Sequence, residues 1–131
     1  GVNQRIAWSP DGQKIATLGE DYTTIEIWGV FSSGATRITE LTGHTDKINA
    51  LDWQINSEIL ASASKDATVK TWDTISGQMM ETFPYAASVL ALDWSPDGQQ
   101  LAYGGVTPVV GETAPLEIVT PDITLSSSGD Q

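Results

Sequence analysis

Apolar and polar residues along this chain alternate in short bursts, not at helical spacing. Between Ile48 and Phe83 the runs INALDW, ILASAS, TVKTW and MMETF are separated by QINSE, KDA and DTISGQ. Runs rich in β-branched and aromatic residues, broken by Asn, Asp, Ser and Gly, predict antiparallel strands with tight turns. Nowhere does an apolar pattern persist for three helical turns, and the Gly and Asp punctuation would interrupt one. The stretch therefore predicts four strands in about 43 residues and no helix.

Overlaying the chain on itself shows that this unit recurs. Arg5–Val30, Asn49–Thr74 and Leu90–Val106 fall into register, with Trp8, Trp53 and Trp94 at one position and Trp28 and Trp72 at a second. The third unit has Val119 at that second position, so all five tryptophans sit at repeat positions. The hexapeptide WSPDGQ occurs at Trp8–Gln13 and again at Trp94–Gln99. Ser-Pro-Asp-Gly supplies a type I turn: Ser9 or Ser95 bonds the backbone, Pro10 or Pro96 presets φ, and Gly12 or Gly98 tolerates the exit. It predicts a hairpin between the first two strands of each unit, filled by QINSE in the middle one.

These residues resemble the WD40 repeat family of β-propellers. The middle unit carries the likeness most fully, in LTGHTDKINALDW (Leu41–Trp53) and LASASKDATVKTWD (Leu60–Asp73). The first unit has Gly29 after its Trp28. The third has Pro84 and Tyr85 in the Gly-His slot, Thr107 for the turn Asp, and a longer connection, TPVVGETAP. The resemblance implies three four-stranded antiparallel blades forming a partial, open propeller. Its expected divisions are blade 1 over 2–42, blade 2 over 43–84, a degenerate blade 3 over 85–125, and a loose polar tail over 126–131. It also implies that the last strand of each sequence repeat belongs to the outside of one blade before the next begins.

His44, Ser62 and Asp66 are the residue types of a hydrolytic triad. Under the resemblance they instead join Trp72 in the family's structural hydrogen-bond tetrad. Thr17, Asp21 and Trp28 form a partial copy, and because Thr17 recurs as Ser62 whereas Gly19 recurs as Ser64, Ser62 is the expected tetrad hydroxyl. A nucleophile needs exposure and an oxyanion site, whereas a tetrad needs burial and full satisfaction, so the expectation is a structural network and no catalytic residue.

Charge and composition narrow the remaining classes. With 17 acidic and 6 basic residues the net charge is −11. That argues against wrapping nucleic acid, which needs clustered Lys and Arg, and reads as solubility or an acidic rim for a basic partner. There is no cysteine and one histidine, so no thiolate or histidine-based metal site is expected, and no Gly-rich phosphate loop suggests a cofactor. No run of 18 apolar residues suggests a membrane span.

The function expected is a non-catalytic protein-interaction scaffold, binding a protein or peptide through loops at one end of the channel. Glu20, Asp46, Lys47 and Lys65 flank the Gly-His loop and the turn aspartates, and are the candidate contacts. The alternative is a sensor or substrate-gating part of a larger enzyme or signalling protein, since the SPDG hairpins also resemble those of TolB-like propellers. Propellers close with about 4 to 8 blades, so three imply completion by the same longer chain, a second copy or another chain; the start without Met favours a fragment.

Overall fold

The computed structural model describes residues 6–107 and 109–125. Residues 2–5 of the expected first blade and the 126–131 tail lie outside the described residues. The described chain is all-β, with eleven strands in three antiparallel sheets and no helix.

The first sheet runs in order β1 (Ile6–Trp8), β2 (Lys14–Leu18), β3 (Ile25–Phe31), β4 (Gly34–Leu41). The second repeats the meander with β5 (Ile48–Trp53), β6 (Ile59–Ser64), β7 (Thr68–Asp73) and β8 (Gln78–Pro84). The third is β9 (Val89–Trp94), β10 (Leu101–Gly105) and β11 (Leu116–Val119). Each apolar run of the middle unit is thus one strand. Register confirms the repeat: Ile15 faces Trp28, Leu60 faces Trp72, and Leu101 faces Val119.

The third sheet has three strands among the described residues, one fewer than the pattern suggests. After β11 the chain meets Pro121, which brings no N–H to a ladder. The Asp122 N–H then donates to the Glu81 carboxylate of β8 at 2.8 Å. Ile123 and Leu125 pack into the core between the second and third sheets, so this segment binds across to the second sheet.

The hairpins behave as the turn chemistry requires. Gly12 N–H donates to the Ser9 carbonyl (2.9 Å), and Gly98 N–H to the Ser95 carbonyl (2.8 Å). Ser9 and Ser95 hydroxyls each donate to the aspartate two residues on, at 2.7 Å. Gly12 and Gly98 both have φ of +74°, a region glycine enters without steric cost. In the middle unit Ser57 takes that place at φ +66°, and its hydroxyl accepts the Asp11 N–H at 3.0 Å. Gln54 Nε2 donates to the Gly98 carbonyl at 2.8 Å. Through Gln54 and Ser57, QINSE therefore ties the hairpins on either side together.

Two apolar layers form the core. One joins Ala7, Ala16, Ile25 and Ile27 of the first sheet to Leu51, Trp53, Leu60 and Trp72 of the second. The other joins Ile59, Ala61, Ala63 and Val69 to Val89, Trp94, Leu101 and Tyr103 of the third. A recurring bond clips the layers together: Trp53 Nε1 donates to the Ala7 carbonyl (2.9 Å), and Trp94 Nε1 to the Asp52 carbonyl (3.1 Å).

Candidate functional site

The loop after β4, the β6–β7 turn and the inner strands of the second sheet bring His44, Ser62, Asp66 and Trp72 together. Trp72 Nε1 donates to Ser62 Oγ at 2.8 Å, Ser62 Oγ lies 2.7 Å from His44 Nε2, and His44 Nδ1 lies 2.8 Å from Asp66 Oδ2. An ionised Asp66 only accepts, so Nδ1 carries the proton and Nε2 accepts from the Ser62 hydroxyl. Asp66 also accepts the Thr45 N–H (3.0 Å), the Thr68 N–H (3.0 Å) and the Thr68 hydroxyl. Burial lowers the pKa of His44 more than the hydrogen bond and charge of Asp66 raise it. Burial alone would raise the Asp66 carboxyl, but the bonds from Thr68, His44 and Thr45 outweigh it and hold the pKa below the ordinary value. Near pH 7 the pair is a neutral imidazole on a carboxylate.

The bond order is that of a hydrolytic triad, but Ser62 is fully buried and its oxygen already accepts the Trp72 N–H. Substrate would have to displace Trp72 to reach it. Of the partial set, Trp28 Nε1 donates to Thr17 Oγ1 at 2.9 Å. Asp21 instead accepts the Thr23 N–H within its own turn at 3.1 Å. Asp66 gains its cross-loop partners from His44 and Thr45; no bond from Asp21 to Thr17 or Trp28 occurs among the described contacts.

In the third unit Tyr103 stands at the Ser62 position of the register and is buried, packed against Phe83 and Tyr85. The Tyr85 hydroxyl accepts the Gly105 N–H (3.1 Å) and donates to the Pro115 carbonyl (2.6 Å). An aromatic cluster with one hydroxyl clip thus stands where the second unit has four polar groups.

Glu20, Asp46, Lys47 and Lys65 gather at one end of the sheets. Ile48 N–H donates to the Tyr22 carbonyl, Lys65 N–H to the Lys47 carbonyl, and Tyr85 N–H to the Ala67 carbonyl, each at 2.8 Å. Ser64 Oγ reaches the carbonyls of Asp46 (3.0 Å) and Lys47 (3.1 Å), and Lys47 Nζ lies 6.0 Å from the Tyr22 ring centroid. Glu20, Lys47 and Lys65 are exposed. Beside them Glu20, Asp21, Glu26 and Glu40 line an open groove of about 410 Å³. No group of three or more His, Cys, Asp or Glu placed to hold a metal occurs among the described residues.

One titrating group escaped the sequence reading. Asp52 Oδ2 accepts the Trp94 N–H at 2.8 Å, and burial pushes its pKa up to about 6, with the Asp93 charge adding to the rise. The repeated triplet LDW (Leu51–Trp53, Leu92–Trp94), against IAW in the first unit, was the available signal. A raised folded pKa means that Asp52 stabilises fully below its unfolded value near 3.8, and that this contribution is lost as pH rises through about 6. Asp52→Asn keeps an acceptor for Trp94 without the charge. We expect it to be more stable than the wild type at pH 7.5 by about 1 kcal/mol, allowing for solvent screening, with the difference vanishing near pH 4. Urea melts at both pH values check this, and an equal difference at both would rule it out.

Residues 35–73 match the family model described as WD domain, G-beta repeat. That span takes in most of β4 and all of β5–β7, so the family repeat straddles two sheets, with its first strand at the edge of the preceding one. Coronin-7 of Homo sapiens is 39% identical over 105 residues, covering 74% of this chain and 11% of the relative. THO complex subunit 3 of Arabidopsis thaliana is 32% identical over 102 residues, covering 76% of this chain and 32% of the relative. Anaphase-promoting complex subunit cdc20 of Dictyostelium discoideum is 34% identical over 102 residues, covering 76% and 19%. The chain thus spans 11% to 32% of the length of these curated relatives.

Proposed function

This chain carries the WD40 repeat, matched over residues 35–73, and on that premise we propose that it is a non-catalytic protein-interaction scaffold within a larger propeller. One observation carries the reading. The β2–β3 turn, the Gly-His loop, the β6–β7 turn and the loop after β8 are joined end to end by the backbone bonds of Ile48, Lys65 and Tyr85. Loops held on a rigid frame keep their side chains placed for a partner at little entropic cost. Glu20, Asp46, Lys47 and Lys65 are the contacts we assign to a protein or peptide partner. The His44–Ser62–Asp66–Trp72 network serves to fix that frame, with blades dividing at 42/43 and 84/85, and no nucleic acid, membrane or cofactor takes part. Two of the relatives are named as subunits of complexes, the THO complex and the anaphase-promoting complex, in keeping with an interaction role.

The test reverses both cations. The chain is immobilised as wild type and as the Lys47→Glu, Lys65→Glu double variant, and retained proteins are quantified by mass spectrometry. Both side chains are exposed, so folding should survive, and specific capture should change by about tenfold or more. Unchanged capture removes this end as the binding face.

A further inference from the structure

The outer strand of the middle sheet holds a sulfur among hydrogen-bond donors. β8 pairs with β7 through Lys70↔Thr82 and Trp72↔Met79, and the register shifts between Thr71 and Trp72. Met80 is the extra residue of that bulge and packs against the core between the second and third sheets. A bulge re-aims the side chains beside it, and here it brings Met79 to the side of Thr82 and Lys70, three residues along a strand that would otherwise alternate. The Thr82 hydroxyl lies 3.2 Å and the Lys70 ammonium 3.5 Å from the Met79 sulfur, and Lys70 Nζ also donates to Thr82 Oγ1 at 3.1 Å. Met79 is 47% exposed, although both faces of its sheet are packed against neighbours within the chain.

The first sheet has the same bulge, between Ile27 and Trp28, and places Glu26, Arg37 and Glu40 where the second has Lys70, Met79 and Thr82. There the middle residue is the donor and the outer two accept: Arg37 pairs with Glu26 at 3.4 Å and with Glu40 at 3.9 Å. In the second sheet the roles are reversed. Two donors meet a thioether, which is a weak acceptor, so the site lacks the strong acceptor that would complete it. A sulfoxide oxygen is such an acceptor. We propose that Met79 is a site of reversible oxidation by peroxides, with Lys70 and Thr82 placed to hold the sulfoxide. The sulfur lone pair takes one oxygen of hydrogen peroxide and the O–O bond breaks. The proton of the transferred hydroxyl ends on the departing hydroxide as water, so sulfur is oxidised and the peroxide reduced. Methionine oxidation disrupts packing where it makes a buried apolar side chain polar; at Met79 the new oxygen meets an ammonium and a hydroxyl at the solvent-facing rim.

The Lys47–Lys65 end plays no part in this inference. The test treats the 131-residue chain with dilute hydrogen peroxide and maps oxygen uptake at its two methionines by peptide mass spectrometry. Met79 should be oxidised at least about tenfold faster than Met80, and the oxidised protein should melt no lower than the untreated one. Because two donors fix where the oxygen sits, one sulfoxide epimer should predominate. Of the two methionine sulfoxide reductases, which each take one epimer, one should therefore restore the thioether nearly completely and the other hardly at all. In the Lys70→Leu, Thr82→Val variant, which has neither donor, both epimers should form and oxidation should lower Tm. The wild-type readouts decide the matter without the variant: equal rates at the two sulfurs, an equal mixture of epimers, or a Tm lowered by oxidation would each make Met79 an ordinary exposed methionine and overturn the proposal.

Discussion

His44→Ala should cost about 3 kcal/mol of folding stability and lower Tm by roughly 10 °C, while the folded variant keeps its partner binding. The variant removes the acceptor of the Ser62 hydroxyl and one donor to Asp66. Ser62 keeps the Trp72 N–H as its donor but has only the Lys70 carbonyl, at 3.5 Å, to donate to, and a buried hydroxyl proton without a good acceptor loses the desolvation energy it had recovered. Asp66 retains Thr45 and Thr68, so the β6–β7 turn should loosen without melting. The effect has a pH signature. His44 has its pKa lowered from 6.5 by burial, so its neutral form contributes stability that is full above 6.5 and lost as pH falls. The gap between wild type and variant should therefore narrow between pH 7.5 and pH 5. Thermal melts at both values decide it; a variant of unchanged stability that had lost a hydrolytic activity would replace the structural role with a catalytic one.

That network could be read from the sequence because each member sits at a fixed offset from a local signal. His44 is the histidine of the Gly-His loop, Asp66 sits in a turn, and Ser62 and Trp72 occupy paired strands two residues out of register. The strands and SPDG hairpins were legible for the same reason, since period-two alternation and turn chemistry act over a few residues. What connects one sheet to the next was not. The Trp53 and Trp94 bonds to carbonyls about one repeat away, and the raised pKa of Asp52, depend on how faces stack. The path after Val119 was hidden likewise: Asp122 finds Glu81 on another sheet, a choice made by packing against Leu125 and Ile123. The aromatic replacement in the third unit was half visible. Tyr85 in the Gly-His slot could be seen, but that Tyr103 fills the serine position, and that Tyr85 bonds Gly105 and Pro115, required the register.

The third unit also holds the position most sensitive to a single methyl group. Gly105→Ala should destabilise the protein by about 3 kcal/mol or more, the largest loss expected of so small a change. A Cβ built there falls 1.9 Å from the Ser88 carbonyl oxygen and 2.9 Å from the Val89 Cα, both backbone atoms that no rotamer change can move aside. The same position in the second unit is Ser64, whose hydroxyl reaches the Asp46 and Lys47 carbonyls. Six residues separate Leu41 from Ile48, but only four separate Pro84 from Val89. The register shifts between Gly104 and Gly105, where β9 passes over Leu90, and Val106 N–H donates to the Ser88 carbonyl at 3.1 Å, as Lys65 N–H does to the Lys47 carbonyl in the second unit. Making room for the methyl pulls that bond apart. It also disturbs Asn49, whose amide donates to the Val89 carbonyl at 2.8 Å and holds the second sheet to the third. Gly104→Ala is the control, because its nearest neighbour is the Pro115 carbonyl at an ordinary 3.5 Å, and it should stay within about 0.5 kcal/mol of wild type. Urea denaturation of both variants separates them: equal midpoints would mean that the Ser88 carbonyl does not lie against Gly105.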